Sequence, residues 1–272
     1  MKKYILLLFI VLCWMPFAIK SQPRNLAFQE GEKLTYVISY SWGFIWIDVG
    51  EVVFTITSKE IRHKKYLVIT GKGRTYPSWD HFFKVRDVYK TIVDAETGRP
   101  VYFFRKVREG DYYQDVTYRF DRKRLVAYST YNTKAHPFYR DTIPITYDTY
   151  DLLSIIYRAR CLDYSHYNKK HTRIPTDILI DNKLEHIGFF FEKRSIFSHD
   201  KVGRWKTIKF TAETLEGNDF KEGDIIHLWV SDDANLLPIW IEAPISVGSV
   251  KAYLKKASGL RHPQVARISR PE

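Results

Sequence analysis

Three acidic residues near the C-terminal end of the chain have the types and spacing for acid–base chemistry. Asp232 and Asp233 are adjacent, and Glu242 follows after a short apolar stretch. Glycoside hydrolysis needs two carboxylates that face each other across the scissile bond. However, Ala-Asn follows the Asp pair, and Asp and Asn side chains commonly bind their own backbone in tight turns. We therefore interpret Asp232-Asp233 as part of a hairpin turn, with hydrolysis of a glycan as the alternative hypothesis.

Four potential zinc ligands lie close together in a polar stretch: Cys161, Asp163, His166 and His171. Thiolate sulfur and imidazole nitrogen bind zinc, but one Cys and two His at these spacings match none of the closed four-ligand sites. The pattern is more typical of a polar loop beside a partly buried thiol. We therefore predict no metal site and no other cofactor.

Two groups of aromatic side chains lie in predicted connections between strands, one beside Gly43 and the other beside Pro77. Aromatic rings pack on acyl chains or stack on sugars, and a curved sheet that is open at one end supplies a concave surface. The alternative is that these rings close the end of the core, because large aromatic residues are mostly buried. The candidate ligand-binding residues are Trp42, Trp46, Tyr76, Trp79 and Phe82, with Phe44 and Phe83 beside them.

The elements that must position these residues are mostly strands. Val52, Phe54 and Ile56 alternate with polar residues, and this period of two indicates a half-buried strand. The sequence Asp94–Gly98 predicts a hairpin loop, with Gly98 where a positive φ is needed. Similar patterns predict strands over residues 34–40, 51–57, 66–70, 85–93, 112–120, 125–130, 178–181, 184–192, 205–215, 225–231, 237–242 and 247–254.

One segment has helical instead of strand periodicity. Leu152, Ile155, Ile156 and Ala159 recur at helical spacing, which predicts a helix from about Thr149 to Arg160, capped by Asp148 or Thr149. The fold class is therefore all-β with one helix, an antiparallel meander that forms a strongly curved sheet or open barrel. We assign residues 22–257 to a single β-rich domain and residues 258–272 to a loosely ordered tail.

The first 21 residues have the pattern of a secretory signal peptide. Lys2 and Lys3 precede an apolar run over residues 4–19, and polar residues follow from Lys20. We expect cleavage near Ser21 and export to the periplasm or cell envelope. Cleavage leaves Cys161 as the only cysteine of residues 22–272, so no disulfide can form within that chain.

The chain is basic, with a formal net charge of +12, of which Lys2, Lys3 and Lys20 lie in the leader. Outside the cytoplasm a basic protein favours anionic lipid, lipopolysaccharide or acidic glycan as partners. We expect a lipid or glycan ligand, no nucleic acid, and at most a peripheral association with a membrane surface.

Several short motifs lie at predicted strand edges and turns: Gly31-Glu32-Lys33-Leu34, Gly50-Glu51-Val52, Asp151-Leu152-Leu153-Ser154, Phe220-Lys221-Glu222-Gly223-Asp224, residues 229–242, and Val247-Gly248-Ser249-Val250. With these motifs the chain resembles the bacterial exported family called domain of unknown function 3108. The resemblance implies an exported, mostly antiparallel β-protein and carries over no catalytic or binding residues. The implied shape is similar to that of curved-sheet envelope proteins, including carriers of lipid-linked cargo.

These observations favour a non-enzymatic envelope protein that binds a lipidic or glycan ligand or assists the assembly of a surface polymer. A hydrolase that acts on envelope glycan is the first alternative. A structural interaction module is the second.

Overall fold

The computed structural model of the chain describes residues 26–134, 137–213, 225–245 and 248–269. Within these ranges the strands are β1 Lys33–Trp42, β2 Ile45–Ile61, β3 Lys64–Thr75, β4 Arg86–Asp94, β5 Pro100–Glu109, β6 Tyr112–Asp121, β7 Val126–Thr133, β8 Tyr139–Pro144, β9 Thr149–Asp151, β10 Thr172–Ile180, β11 Lys183–His199, β12 Gly203–Glu213, β13 Ile225–Ser231, β14 Pro238–Pro244, β15 Ser249–Ser258 and β16 Arg267–Ser269. One helix, α1, spans Ser154–Ala159.

All these strands belong to one sheet. Its order is β8-β7-β6-β5-β4-β3-β2-β1-β15-β14-β13-β12-β11-β10-β9, with β16 paired to β12. Two meanders, β1–β8 and β9–β15, therefore meet where β1 pairs with β15. Among the paired strands only β9 and β10 run parallel. The predicted fold class, an all-β antiparallel meander with one helix, is confirmed.

The sheet curves until the second meander contacts the inner face of the first. Asp181 and Asn182 form the β10–β11 turn, and both have positive φ, as in a type I′ hairpin. Arg105 of β5 pairs with the Asp181 carboxylate, and Gln114 of β6 donates to it at 3.2 Å. Ser129 of β7 donates to the Asn182 side-chain oxygen at 2.6 Å. The two meanders are therefore held together at this place by side-chain contacts and not by hydrogen-bonded pairing between strands.

The helix begins later than the sequence predicted. Thr149 lies in β9, not in the first helical turn, and Asp148 pairs with Arg99 at 2.7 Å. The reason is Asp151, whose Oδ1 accepts the backbone N–H groups of Leu153 and Ser154, each at 2.9 Å. These bonds turn the chain at Asp151 and leave only six residues for α1.

The core consists of three apolar clusters. The largest fills the first meander and includes Tyr157 of α1 and Leu153 directly before the helix; the Tyr157 ring lies edge-on to Phe28 at 4.9 Å. The second surrounds Trp240, and the third surrounds Phe210. The helix thus lies inside the curve of the sheet, fixed to the first meander by one of its faces.

The C-terminal segment differs from the predicted loosely ordered tail over residues 258–269. Ala266 is buried, its carbonyl accepts the backbone N–H of Lys206 at 2.8 Å, and Arg267–Ser269 forms β16. The Asn235 side chain donates to the carbonyls of His262 and Pro263 at 3.0 and 3.1 Å. These hydrogen bonds order a sequence whose prolines and charges suggested a loose end.

The predicted signal peptide, residues 1–21, lies outside the described residues. Within the described ranges, no helix has both the length and the apolar composition needed to cross a bilayer.

Candidate functional site

The end of α1 is fixed by a buried arginine. The Arg160 guanidinium donates to both carboxylate oxygens of Glu32, at 2.6 and 2.8 Å, and both side chains are almost fully buried. Its Nε donates to the Asn235 carbonyl at 3.0 Å. Burial lowers the pKa of Arg160, but the hydrogen bonds and the charge of Glu32 outweigh it, so the net pKa is raised. Arg160 therefore stays charged and ties α1 to the start of β1 and to the β13–β14 turn.

Two apolar cavities lie on either side of this anchored helix. Cavity A, of about 120 Å³, lies between α1 and strands β1, β2, β14 and β15. Its walls include Leu34, Tyr36 and Ile38, which point to the same face of β1 because strand side chains alternate. Arg160 is the one charged residue among its described lining residues, and Glu32 already binds it.

Cavity B, of about 190 Å³, lies between α1 and strands β10–β14. Phe189, Phe210 and Leu228 are among its walls, and Ile156, Arg160, Pro238 and Ile241 line both cavity A and cavity B. We call cavities A and B together the groove.

Ile156 separates the two cavities at the surface of the helix. Its side chain is 41% exposed although apolar, whereas Tyr157 beside it is buried. The groove thus has apolar walls and opens to solvent along α1, and the exposed Ile156 lies at the border between cavities A and B.

A third cavity adjoins the groove. Cavity C, of about 300 Å³, shares the lining residues Ile155, Ala159, Thr176 and Phe189 with cavity B. Its other lining residues include three charged ones, Arg158 of α1, Asp148 and Asp177. The apolar groove therefore adjoins a compartment that carries charged side chains.

The candidate ligand-binding residues lie elsewhere, at one end of the sheet. Trp42 is 56% exposed at the end of β1, and Phe82 is 79% exposed in the β3–β4 connection, 5.6 Å from the partly buried Trp79 ring. Tyr76 is half-buried, and its backbone N–H donates to the Val49 carbonyl at 2.9 Å.

Trp46 does not lie in a connection as predicted. It belongs to β2, and its partly buried ring packs 5.7 Å from that of Trp240, against the second core cluster. The five candidates do not line cavities A, B or C, and a binding role for them stays a prediction.

The acidic residues that suggested hydrolysis have structural partners. Oδ1 of Asp233 accepts Ser231 Oγ at 2.9 Å and the backbone N–H of Asn235 at 3.0 Å, the turn geometry that the sequence predicted. Asp232 lies 3.3 Å from Arg194 Nε. Glu242 lies 3.4 Å from Lys251 Nζ, so each of the three carboxylates has a partner of its own.

The Cys and His residues that suggested zinc also turn to separate partners. Cys161 Sγ donates to the Tyr157 carbonyl at 3.3 Å, His166 lies 3.7 Å from Asp163, and His171 lies 3.0 Å from Glu192. In the described ranges, no group of three or more His, Cys, Asp or Glu residues converges as metal ligands would.

Sequence reasoning missed the groove because its walls come from distant segments. The alternation over residues 34–38 and 52–56 indicated inward-facing apolar side chains, and the helical spacing indicated an apolar face of α1. Neither signal states that the helix is too short to cover the strands that face it.

The fold has relatives among solved structures. The beta-barrel-like protein of domain of unknown function DUF1849 from Brucella abortus has 8% identity and a TM-score of 0.54, over 83% of this chain and 96% of that one. A lipoprotein candidate from Parabacteroides distasonis has 11% identity and a TM-score of 0.37, over 88% and 98%. At these identities only the fold of the first is informative. No curated protein matches the chain.

The family comparison agrees with the resemblance noted in the sequence. The family described as protein of unknown function, DUF3108, matches residues 35–255, which is most of the chain and includes the strands that form the groove. The chain therefore belongs to the DUF3108 family.

Proposed function

We propose that this protein is exported to the cell envelope and binds the apolar chain of a lipidic molecule in the groove around α1. The observation that carries the proposal is the apolar lining of cavities A and B, which opens to solvent beside the exposed Ile156. The leader pattern of residues 1–21 supports export.

The size and chemistry of the groove favour an acyl chain. An apolar cavity of about 150 Å³ is large enough to take up benzene from water, and cavities A and B are of this order. Each methylene buried in such a site contributes about 0.8 kcal/mol. A chain that enters both cavities therefore gains enough free energy for specific binding.

A glycan fits the groove less well. Sugar hydroxyls need hydrogen-bond partners when they leave water, and burial without them is costly. In cavity A, Tyr36 already donates its hydroxyl to the Pro238 carbonyl at 3.0 Å, and Arg160 is bound by Glu32. The apolar walls thus favour a lipid over a sugar.

The proposal is tested with a neutral apolar fluorophore, N-phenyl-1-naphthylamine, whose emission rises in an apolar site. Ala252 lines cavity A and Ala212 lines cavity B, so Ala252→Leu and Ala212→Leu each fill part of the groove. We expect each variant to weaken dye binding by about fourfold, the loss of roughly one buried methylene at about 0.8 kcal/mol. Stability should be unchanged or higher, because filling a cavity usually stabilises a fold.

The matched control is Thr57→Leu, which adds similar apolar bulk to an exposed position of β2 on the face opposite Phe54. It should leave dye binding unchanged. If both groove variants are folded and bind the dye as tightly as this control, the groove is not the binding site. Mass spectrometry of protein isolated from its own envelope should in addition detect a bound lipid and a mature chain that begins near Gln22.

A further inference from the structure

Arg158 is the positively charged residue that lines cavity C, and its guanidinium has no side-chain partner among the described residues. It belongs to α1, is half-buried, and lines this cavity, and no described residue forms a hydrogen bond or ion pair with its guanidinium. Two residues along the helix, Arg160 has a buried carboxylate as its partner. Arg158 within α1 and Arg160 directly after it therefore differ, because the buried guanidinium of Arg160 is bound by Glu32 and that of Arg158 has its N–H donors available.

The carboxylates in the same cavity do have partners. Asp148 accepts Arg99 Nη2 at 2.7 Å. Asp177 accepts the Thr146 hydroxyl at 2.7 Å and lies 2.7 Å from His186 Nδ1. Among the charged residues that line cavity C in the described ranges, Arg158 is thus the one without a partner, and its guanidinium presents five N–H donors in a fork that fits a carboxylate or phosphate.

Cavity C also adjoins the apolar groove. Ile155, Ala159, Thr176 and Phe189 line both cavity C and cavity B, so the two cavities are close enough for the chain and the headgroup of one molecule to occupy them together. A ligand that matches both compartments has an apolar chain and, at one end, a group of negative charge.

We infer that the lipid bound in the groove is an anionic amphiphile, whose headgroup accepts hydrogen bonds from Arg158 in cavity C. This inference rests on the proposed function, because it needs an apolar chain in cavity B. It adds the charge class of the ligand, its orientation and the residue that selects it. The acyl chain supplies most of the affinity, and Arg158 discriminates between headgroups.

The test compares two amphiphiles with the same acyl chain, laurate, which is anionic, and glycerol monolaurate, which is neutral. Displacement of the fluorophore by each gives its affinity, at concentrations below micelle formation. We expect wild-type protein to bind laurate about fivefold more tightly than glycerol monolaurate, the effect of a partly solvent-screened hydrogen bond to a charged group. Arg158→Gln should abolish this preference and leave the affinity for glycerol monolaurate unchanged, whereas Arg158→Lys should keep part of it.

The control for a general effect of charge is Lys193→Gln, which removes one positive charge from an exposed position of β11. It should keep the preference for laurate. If wild type binds both amphiphiles equally, or if Arg158→Gln keeps the preference, the inference is wrong while the proposed function stands. If neither amphiphile displaces the fluorophore, the proposed function itself fails. A role of Arg158 in helix stability alone would lower the unfolding midpoint without altering the ratio of the two affinities.

Discussion

The ion pair between Arg160 and Glu32 fixes the helix that borders the groove, and Glu32→Gln tests how much of the fold depends on it. The substitution keeps the size of the side chain but removes its charge. The guanidinium then stays buried, with side-chain exposure of 2%, and loses the carboxylate that accepted it at 2.6 and 2.8 Å. Breaking a buried pair by removing one partner costs about 3–5 kcal/mol. Since whole domains are stable by about 5–15 kcal/mol, this loss is large.

The assay is urea unfolding followed by tryptophan fluorescence, in which a lower midpoint at unchanged slope reports a loss of stability. Glu30→Gln is the matched control, because Glu30 lies two residues away and pairs with Lys65 at 3.3 Å with both side chains at least half exposed. Exposed pairs are screened by water, so the control midpoint should stay within experimental error.

The double variant Glu32→Leu with Arg160→Met should be more stable than Glu32→Gln, because it leaves no uncompensated charge. If Glu32→Gln unfolds at the same urea concentration as Glu30→Gln, the ion pair does not hold the helix and the reasoning is refuted.

Three further substitutions address a buried acid, a buried tryptophan and an exposed tryptophan. Burial raises the pKa of Asp151 above its ordinary value near 3.8, although hydrogen bonds to the carboxylate lower it in part. The protonated carboxyl therefore stabilises the fold at a pH below the pKa that Asp151 has in the unfolded chain. This contribution is lost as the pH rises through the pKa of Asp151 in the folded protein. Urea midpoints should therefore show wild type gaining stability relative to Asp151→Asn between about pH 7 and about pH 4; a relative loss would contradict the sign. Trp240 is 3% exposed, so Trp240→Ala should lower the free energy of unfolding by about 3–5 kcal/mol. Trp42 is 56% exposed, so Trp42→Ala should lower it by less than about 1 kcal/mol. Equal costs would show that Trp42 is part of the core.

Local patterns predicted the strands and turns that local chemistry determines. The alternation over residues 52–56 lies in β2, and Gly98 has a φ of +66° in the β4–β5 loop, as its hairpin required. Asp94 Oδ1 accepts the backbone N–H groups of Glu96 and Thr97 in the same loop. These features depend on residues within a few positions of one another, so the sequence alone suffices for them.

Features that depend on distant partners were not predicted. Strand β5 was missed because Arg105 interrupts its inward-facing apolar row, and that arginine is explained only by Asp181, which lies in a turn of the other meander. Trp46 was assigned to a loop, but it is fixed by Trp240 from β14. The five candidate aromatic residues were chosen from their positions in the chain. The groove depends instead on which strands face α1, and positions in the chain do not indicate this.

The length of α1 explains why a groove exists at this place in the sheet. Six helical residues extend about 9 Å, and a helix is about 10 Å wide. Eight strands surround the helix, in the sheet order β2-β1-β15-β14-β13-β12-β11-β10, and neighbouring strands lie about 4.8 Å apart. All but a few of the residues that line cavities A and B are apolar. One short helix cannot cover a surface of that width, and Arg160 prevents it from moving to either side. Apolar walls therefore remain on both sides of the exposed Ile156. Soluble proteins rarely leave a large contiguous apolar surface exposed unless it binds a partner or ligand. A lipid chain bound as proposed would cover these walls, and the Arg158 substitutions test which headgroup such a lipid carries.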